Sequence, residues 1–301
     1  MRGLAAIGIA LAMAAVPALA GDFEDGSRFH EAGDYARAMD SFRVAAAQGH
    51  APAQYNLGLM YRKGQGVAAD YMQAASWYEK AAAQGYGSAQ FDLGVMYAEG
   101  LGVAQDYKQA AFWFGKAAAQ GYASAQFNLG VMYTEGKGVA QDYGRAVSWY
   151  EKATAQGYAS AQFNLGLMYY NGQGVAQDYE RARYWYEKAA EQGNAEAQFN
   201  LGVMYYRGQG VAQDYEQAVS WYEKASAQEN TLAQTSLGIM YYNGQGVAQD
   251  YVEAYKWLSL AAANGDEVAR INREIVERKM TPEHIAEARR RASAWIKTPR
   301  R

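Results

Sequence analysis

Between residues 125 and 133, apolar side chains stand at Ala125, Leu129, Met132 and Tyr133 with polar residues interleaved. The spacing i, i+4, i+7, i+8 is one face of an α-helix. It predicts a first helix, A, opened by Ser124 as N-cap and closed near Gly136. The loop Gly136-Lys137-Gly138-Val139 follows, with glycines that tolerate positive φ and one apolar anchor, Val139. Asp142 then caps a second helix, B, with a predicted buried stripe of Tyr143, Ala146, Trp149, Tyr150 and Ala153, and Gly157 stops it. The stretch therefore encodes two antiparallel helices.

The same pattern is written six times. Its Leu-Gly pair recurs at Leu57-Gly58, Leu93-Gly94, Leu129-Gly130, Leu165-Gly166, Leu201-Gly202 and Leu237-Gly238, every 36 residues. A period between about 20 and 50 residues marks a solenoid. The expected fold is all-α: a right-handed α/α solenoid superhelix of stacked antiparallel helix pairs with 36-residue repeats over residues 50–265. The mid-helix glycine costs about 1 kcal/mol relative to Ala in every copy, which predicts close approach of helix B, with the Trp at 77, 113, 149, 185, 221 and 257 filling the space beside it.

The flanks break the period. Residues 1–20 run from Met1-Arg2 through an Ala/Leu/Ile stretch to Pro17 and Ala18-Leu19-Ala20, the pattern of a secretory signal peptide cut after Ala20. The apolar run falls short of the roughly 20 residues that span a bilayer, so no stable membrane insertion is expected after cleavage. Residues 21–49 form a degenerate first unit, with Gly26, Phe29, Gly33-Asp34-Tyr35, Ala38, Phe42 and Ala45 at the spacing of a tetratricopeptide helix pair, which it resembles. Residues 266–301 read as two C-terminal helices that cap the stack, the last opened by Thr281-Pro282.

Composition narrows the chemistry. There is no Cys, which excludes disulfides and thiolate sites, and His30, His50 and His284 are far apart in the chain, so no metal site, cofactor or catalytic centre is expected. Residues 266–301 carry ten Lys/Arg against six Asp/Glu, which with Arg2 set aside leaves residues 21–265 at −8. The run Arg289-Arg290-Arg291 reads as a solvated helix face, and export argues against nucleic acid.

The line A-x-x-x-L-G-x-M-Y-x-x-G-x-G-V-x-x-D-Y-x-x-A-x-x-W-Y-x-x-A-A-x-x-G resembles the Sel-one-like repeat, a relative of the tetratricopeptide repeat, over residues 50–265. Departures fall late: Glu229 for the closing Gly, Ser236 for Asn and Leu258 for the aromatic after Trp257, so the array is expected to bend or loosen there. The resemblance implies a non-enzymatic scaffold or adaptor that holds another envelope or secreted protein on its concave face, in the periplasm or outside the cell. A glycan-binding module, for peptidoglycan or exopolysaccharide, is the alternative. A β-lactam-binding or hydrolysing enzyme is the weaker one, because relatives linked to that activity are rich in Cys and no Ser-x-x-Lys motif with partners is present.

Most repeated residues have folding roles in this reading. The Gly-x-Gly loops lack a following Lys-Ser/Thr and so do not cradle phosphate, and the Asp series from Asp70 to Asp250 caps helices. Gln54, Gln90, Gln126, Gln162, Gln198 and Gln234 form a polar ladder that fits an extended peptide and an adjacent repeat equally well. Function is expected where the copies disagree. Tyr170, Tyr206 and Tyr242 replace Arg62, Ala98 and Thr134 of the early copies, and next to the buried Tyr they are expected to form an exposed aromatic row. With Asn171, Arg207 and Asn243 they are the candidate partner-binding residues.

Overall fold

The computed structural model describes residues 21–297, which hold sixteen α-helices and no strand. The signal-peptide reading of residues 1–20 lies outside the described residues. A first helix, α1, covers 21–31, and α2 is Tyr35–Ala47. The A helices of the six repeats are α3 (Ala51–Lys63), α5 (Gly87–Glu99), α7 (Ala123–Glu135), α9 (Ala159–Asn171), α11 (Ala195–Arg207) and α13 (Thr231–Asn243). Their B helices are α4 (Tyr71–Ala83), α6 (Tyr107–Ala119), α8 (Tyr143–Thr154), α10 (Tyr179–Glu191), α12 (Tyr215–Ala227) and α14 (Tyr251–Ala263). Helices α15 (Glu267–Glu277) and α16 (Pro282–Lys297) follow.

The chain falls into two compact units, Met1–Lys152 and Ala153–Arg301. Within each, a B helix packs on the A helix of its own repeat and on the A helix of the next, which is α/α solenoid stacking. No helix among the described residues is long and apolar enough to cross a membrane.

The mid-helix glycine is explained, but its partner is not the tryptophan. A Cβ at Gly58 would lie 2.5 Å from the Tyr78 ring, and Gly94, Gly130, Gly166 and Gly202 face Phe114, Tyr150, Tyr186 and Tyr222 in the same way. These aromatics are the residues after each Trp, and they are buried. The Trp side chains pack instead between their own A helix and the preceding helix: Trp77 on the core of α2 and α3, Trp113 on that of α4 and α5, and Trp149 on that of α6 and α7. The outer ring face of Trp77 carries Lys80, with Nζ 3.7 Å from the ring centroid. The expected stripe of helix B is adjusted accordingly: Ala146, Tyr150 and Ala153 are buried together with Val147, while Tyr143 and Trp149 are only half-buried.

Capping matches the Asp series. Asp70 accepts from Met72 N and Gln73 N at 2.9 and 3.0 Å, and Asp214 from Gln217 N at 3.0 Å. Helix A differs from expectation, because it starts one residue before Ser124 and its cap position is Tyr122, whose side chain makes no capping bond. Asn194 and Asn230 occupy that cap position later and do bond, to Ala197 N and Ala233 N at 2.7 and 2.9 Å.

The two loop glycines have separate roles. Gly64 closes α3 in the left-handed region at φ 68°, whereas a Cβ at Gly66 would lie 2.6 Å from Tyr35 O. Gly102, Gly138, Gly210 and Gly246 rest in the same way on the backbone of Tyr71, Tyr107, Tyr179 and Tyr215, the first residue of the preceding helix B. Glu229, which stands in for the glycine between α12 and α13, adopts φ 64°, the one non-glycine residue in the left-handed region among the described residues. The turn there keeps the geometry of the other copies: Glu229 N bonds Ser226 O at 2.9 Å as Gly85 N bonds Ala82 O at 3.0 Å. The departure is absorbed as backbone strain.

Beyond the repeats, α16 lies on α14. Trp295 meets Trp257 edge-on at 4.7 Å between centroids, Arg291 bonds Glu253 at 2.8 Å, and Ala288 and Ala292 are buried. The triple-arginine run is partly neutralised, since Arg290 and Arg291 pair with Glu287 and Arg289 reaches Tyr255 Oη at 3.4 Å.

Candidate functional site

The polar ladder is internal. Gln54 Nε2 donates to Ala46 O of the preceding helix at 3.1 Å, and its Oε1 accepts from Gln84 Nε2 at 2.7 Å. Gln90 with Ala82 and Gln120, and Gln198 with Ala190 and Gln228, repeat the arrangement. All six ladder glutamines are buried, which removes the reading in which they hold an extended peptide. Their partners at the end of helix B, Gln84, Gln120, Gln192 and Gln228, escape a reading of the sequence alone, although they recur 30 residues after each ladder Gln.

The surface left open lies between successive A helices. On the A helices of the first five repeats an aromatic side chain leans on the buried aromatic of helix B, as Phe91 on Phe114 at 5.7 Å, Phe163 on Tyr186 at 5.8 Å and Phe199 on Tyr222 at 5.7 Å; α13 has Thr235 there instead. What stands beside these pairs decides whether the groove is filled. Between α3 and α5 it is filled by a polar cluster, in which Tyr55 Oη and Arg62 Nη1 donate to Asp92 at 3.0 and 3.3 Å. Burial pushes the Asp92 carboxyl above its ordinary range, and the Tyr55 hydrogen bond and the Arg62 charge oppose that rise. From α9, Tyr170 Oη donates to Gln209 Oε1 in the next repeat at 2.8 Å.

Elsewhere the groove is open. A cleft of about 210 Å³ lies between α1 and α3 over Phe42, and one of about 230 Å³ between α5 and α7 over Phe114, where Ala98 leaves room. A third, of about 270 Å³, lies between α11 and α13 over Tyr222. Its walls are Phe199, Val203, Ile239 and Met240, and Tyr206, Arg207 and Ser236 complete the lining. Burial raises the Tyr222 hydroxyl well above the ordinary tyrosine value, while a hydrogen bond with Ser236 and the charge of Arg207 pull it back.

The six candidate residues are thus not gathered in one place. Tyr206 and Arg207 share the α11/α13 cleft. Tyr170 is engaged with Gln209, and Tyr242 packs on the core formed by α14, α15 and α16. Asn171 is exposed, and Asn243 donates to Gln245 at 3.2 Å. The three tyrosines do not form an exposed row. Each is half-buried against the first tyrosine of its own helix B, with centroids 5.2 Å apart for Tyr170 and Tyr179, 5.3 Å for Tyr206 and Tyr215, and 5.6 Å for Tyr242 and Tyr251. The sequence signal that points to the cleft is the loss of bulk on α13, Thr235 and Ser236 where α11 has Phe199 and Asn200.

The Sel1 repeat family matches residues 51–86, 87–122, 123–158, 159–194, 195–230 and 231–266. The chain is a Sel1-repeat protein. A Sel1 repeat protein from Oxalobacter formigenes is similar in sequence and structure, with 34% identity and a TM-score of 0.71 over 80% of this chain and 96% of that one. The protective antigen c5321 of uropathogenic Escherichia coli, described as displaying an SLR fold, is 32% identical over 92% of this chain and 76% of that one, with a TM-score of 0.45. No curated protein matches the sequence. Sel1-repeat proteins are helical scaffolds for protein–protein interaction, which places this chain among protein-binding solenoids.

Proposed function

We propose that this Sel1-repeat chain is an exported, non-enzymatic scaffold that holds another envelope or secreted protein on the face formed by its A helices. The observation that carries the reading is the set of clefts at α1/α3, α5/α7 and α11/α13, floored by the buried aromatics Phe42, Phe114 and Tyr222. A protein partner that presents apolar side chains at the spacing of the A helices would seat one per open cleft, and burial of such anchors is where interface energy concentrates. The leader-like pattern of residues 1–20 supports export. In this proposal α15 and α16 cap the end of the stack, covering the apolar side of α14.

Crosslinking in the native envelope followed by mass spectrometry tests the reading. The expected result is one or a few proteins joined to residues of α5, α7, α11 or α13. Recovery of no protein, or turnover of a chromogenic β-lactam by the purified chain, overturns it. Capture of muropeptides or polysaccharide without any protein partner replaces it with the glycan reading.

A further inference from the structure

The α11/α13 cleft differs from its counterparts in the polar groups it leaves free. Ser236 Oγ turns back onto Leu232 O at 2.8 Å, and Thr235 Oγ1 is engaged by Thr231 O at 3.1 Å and Asp266 Oδ2 at 2.9 Å, so α13 adds apolar walls to the cleft and no free donor. The Tyr206 hydroxyl and the Arg207 guanidinium, both lining it, have no hydrogen-bond or ion-pair partner among the described residues. The equivalent hydroxyl one repeat earlier, on Tyr170, is taken up by Gln209. Both free groups on the cleft are donors, and no carboxylate lines it. The α5/α7 cleft, by contrast, carries Glu99 and Glu135, with Lys137 paired to Glu135 at 2.8 Å.

We propose that the α11/α13 cleft binds an acidic segment of the protein partner, with one aliphatic side chain against Phe199, Val203, Ile239 and Met240 and a carboxylate on Arg207 and Tyr206. This rests on the protein-binding reading above and names the chemistry of the partner at one site. The cleft, at about 270 Å³, is below the usual size for a whole small-molecule ligand and suits a single anchor side chain. A sugar placed there would set hydroxyls against four apolar walls without partners. Residues 21–265 are net negative, so long-range attraction does not favour an acidic partner; the selection is local, at an arginine inside the roughly 8 Å screening length of physiological salt.

The test is a panel of fluorescein-labelled peptides of the form Gly-Ser-X-Y-Ser-Gly, with X as Leu or Ala and Y as Glu, Gln or Lys, titrated into the full chain by fluorescence anisotropy. The Leu-Glu peptide is expected to bind about tenfold more tightly than Leu-Gln, with Ala-Glu and Leu-Lys weaker still. Arg207→Glu, at an exposed position that the fold does not use, should reverse the preference to Leu-Lys with an unchanged circular dichroism spectrum. Tyr206→Phe should weaken Leu-Glu binding a few-fold. Equal binding of Glu and Lys peptides, absence of binding by every peptide, an unchanged ranking in Arg207→Glu, or displacement of Leu-Glu by a muropeptide each overturns the proposal. Those peptide results leave the scaffold reading standing, because that reading is decided by the envelope crosslinking and the β-lactam and glycan assays, which do not depend on this cleft.

Discussion

Two glycines in one repeat should respond to the same substitution with opposite signs. Gly115 sits inside α6 with nothing within 4 Å of where a Cβ would go. Ala there gains about 0.8–1.0 kcal/mol of helix propensity at no steric cost, so Gly115→Ala should stabilise the chain by about 0.5–1 kcal/mol. Gly94 sits inside α5, where the new methyl would lie 2.7, 2.8 and 3.2 Å from Cδ1, Cε1 and Cγ of Phe114. Optimal carbon–carbon contact is about 3.5–4.0 Å, so the ring must retreat by roughly 1 Å. Phe114 is buried and holds Phe91 at 5.7 Å, so the retreat disturbs packed neighbours rather than a free side chain. Overpacking of this kind costs about 1–3 kcal/mol and the propensity gain offsets part of it, leaving Gly94→Ala destabilised by about 1–2 kcal/mol. Urea unfolding followed by circular dichroism at 222 nm reads both values on one protein background. Phe114→Leu should not rescue Gly94→Ala, since Leu258, at the same place opposite Gly238, still puts its Cγ 2.5 Å from where a methyl at Gly238 would stand. A Gly94→Ala chain as stable as the parent would refute the close-approach account of the repeated glycine.

Glu229→Gly should stabilise the chain by about 1 kcal/mol, measured by thermal unfolding, because it relieves a left-handed backbone at φ 64°. Gln198→Ala should cost about 1–3 kcal/mol in the same assay, since it removes two buried hydrogen bonds, leaving the Ala190 carbonyl with Gly193 N alone and Gln228 without its amide partner. Asp92→Asn tests the polar cluster through pH. Burial raises the folded-state pKa of Asp92 above its unfolded value of 3.8, so the folded state holds that proton more tightly and the stability it confers is lost as pH rises through the raised value. The Asn variant should therefore gain stability over the parent at pH 7 and lose that advantage below pH 3.8, a trend that urea midpoints across pH would check.

The fold is legible in the sequence because its signals repeat. Asp142, Gly136 and the Ala/Leu/Met face are local rules of capping and periodicity, and six copies average out the noise in any one of them. What escapes depends on contacts between neighbours. Trp149 and Tyr150 are adjacent in sequence and both aromatic, and only the rotation of helix B decides that Tyr150 meets Gly130 while Trp149 turns to the core of α6 and α7. The ladder Gln is visible but its direction is not, because a buried amide and a peptide-binding amide look alike until Gln84 and Ala46 are placed beside it. At the candidate site, the principle that function lies where copies differ leads to Tyr206 and Arg207. It leads equally to Tyr170 and Tyr242, which lie elsewhere: Tyr170 Oη is on Gln209 and Tyr242 packs on the core of α14, α15 and α16. Ser236 reads in the sequence as an irregularity of the array, and its effect, an open cleft, needs the facing side chains of α11.

The second loop glycine restricts how a gene of this kind can change. Gly210 rests on Tyr179 and Gly246 on Tyr215, the same pair of addresses in successive copies. Loss of residues 195–230 as one block would join Asn194 to Thr231 and set the Gly246 loop onto Tyr179, a joint of the kind already present. Removing a few residues fewer or more would leave that glycine facing the wrong backbone. Copy number is therefore free to drift by whole units through recombination between near-identical segments. What each such event rewrites is which odd copy becomes the neighbour of which, and so which gaps in the A-helix face stand open.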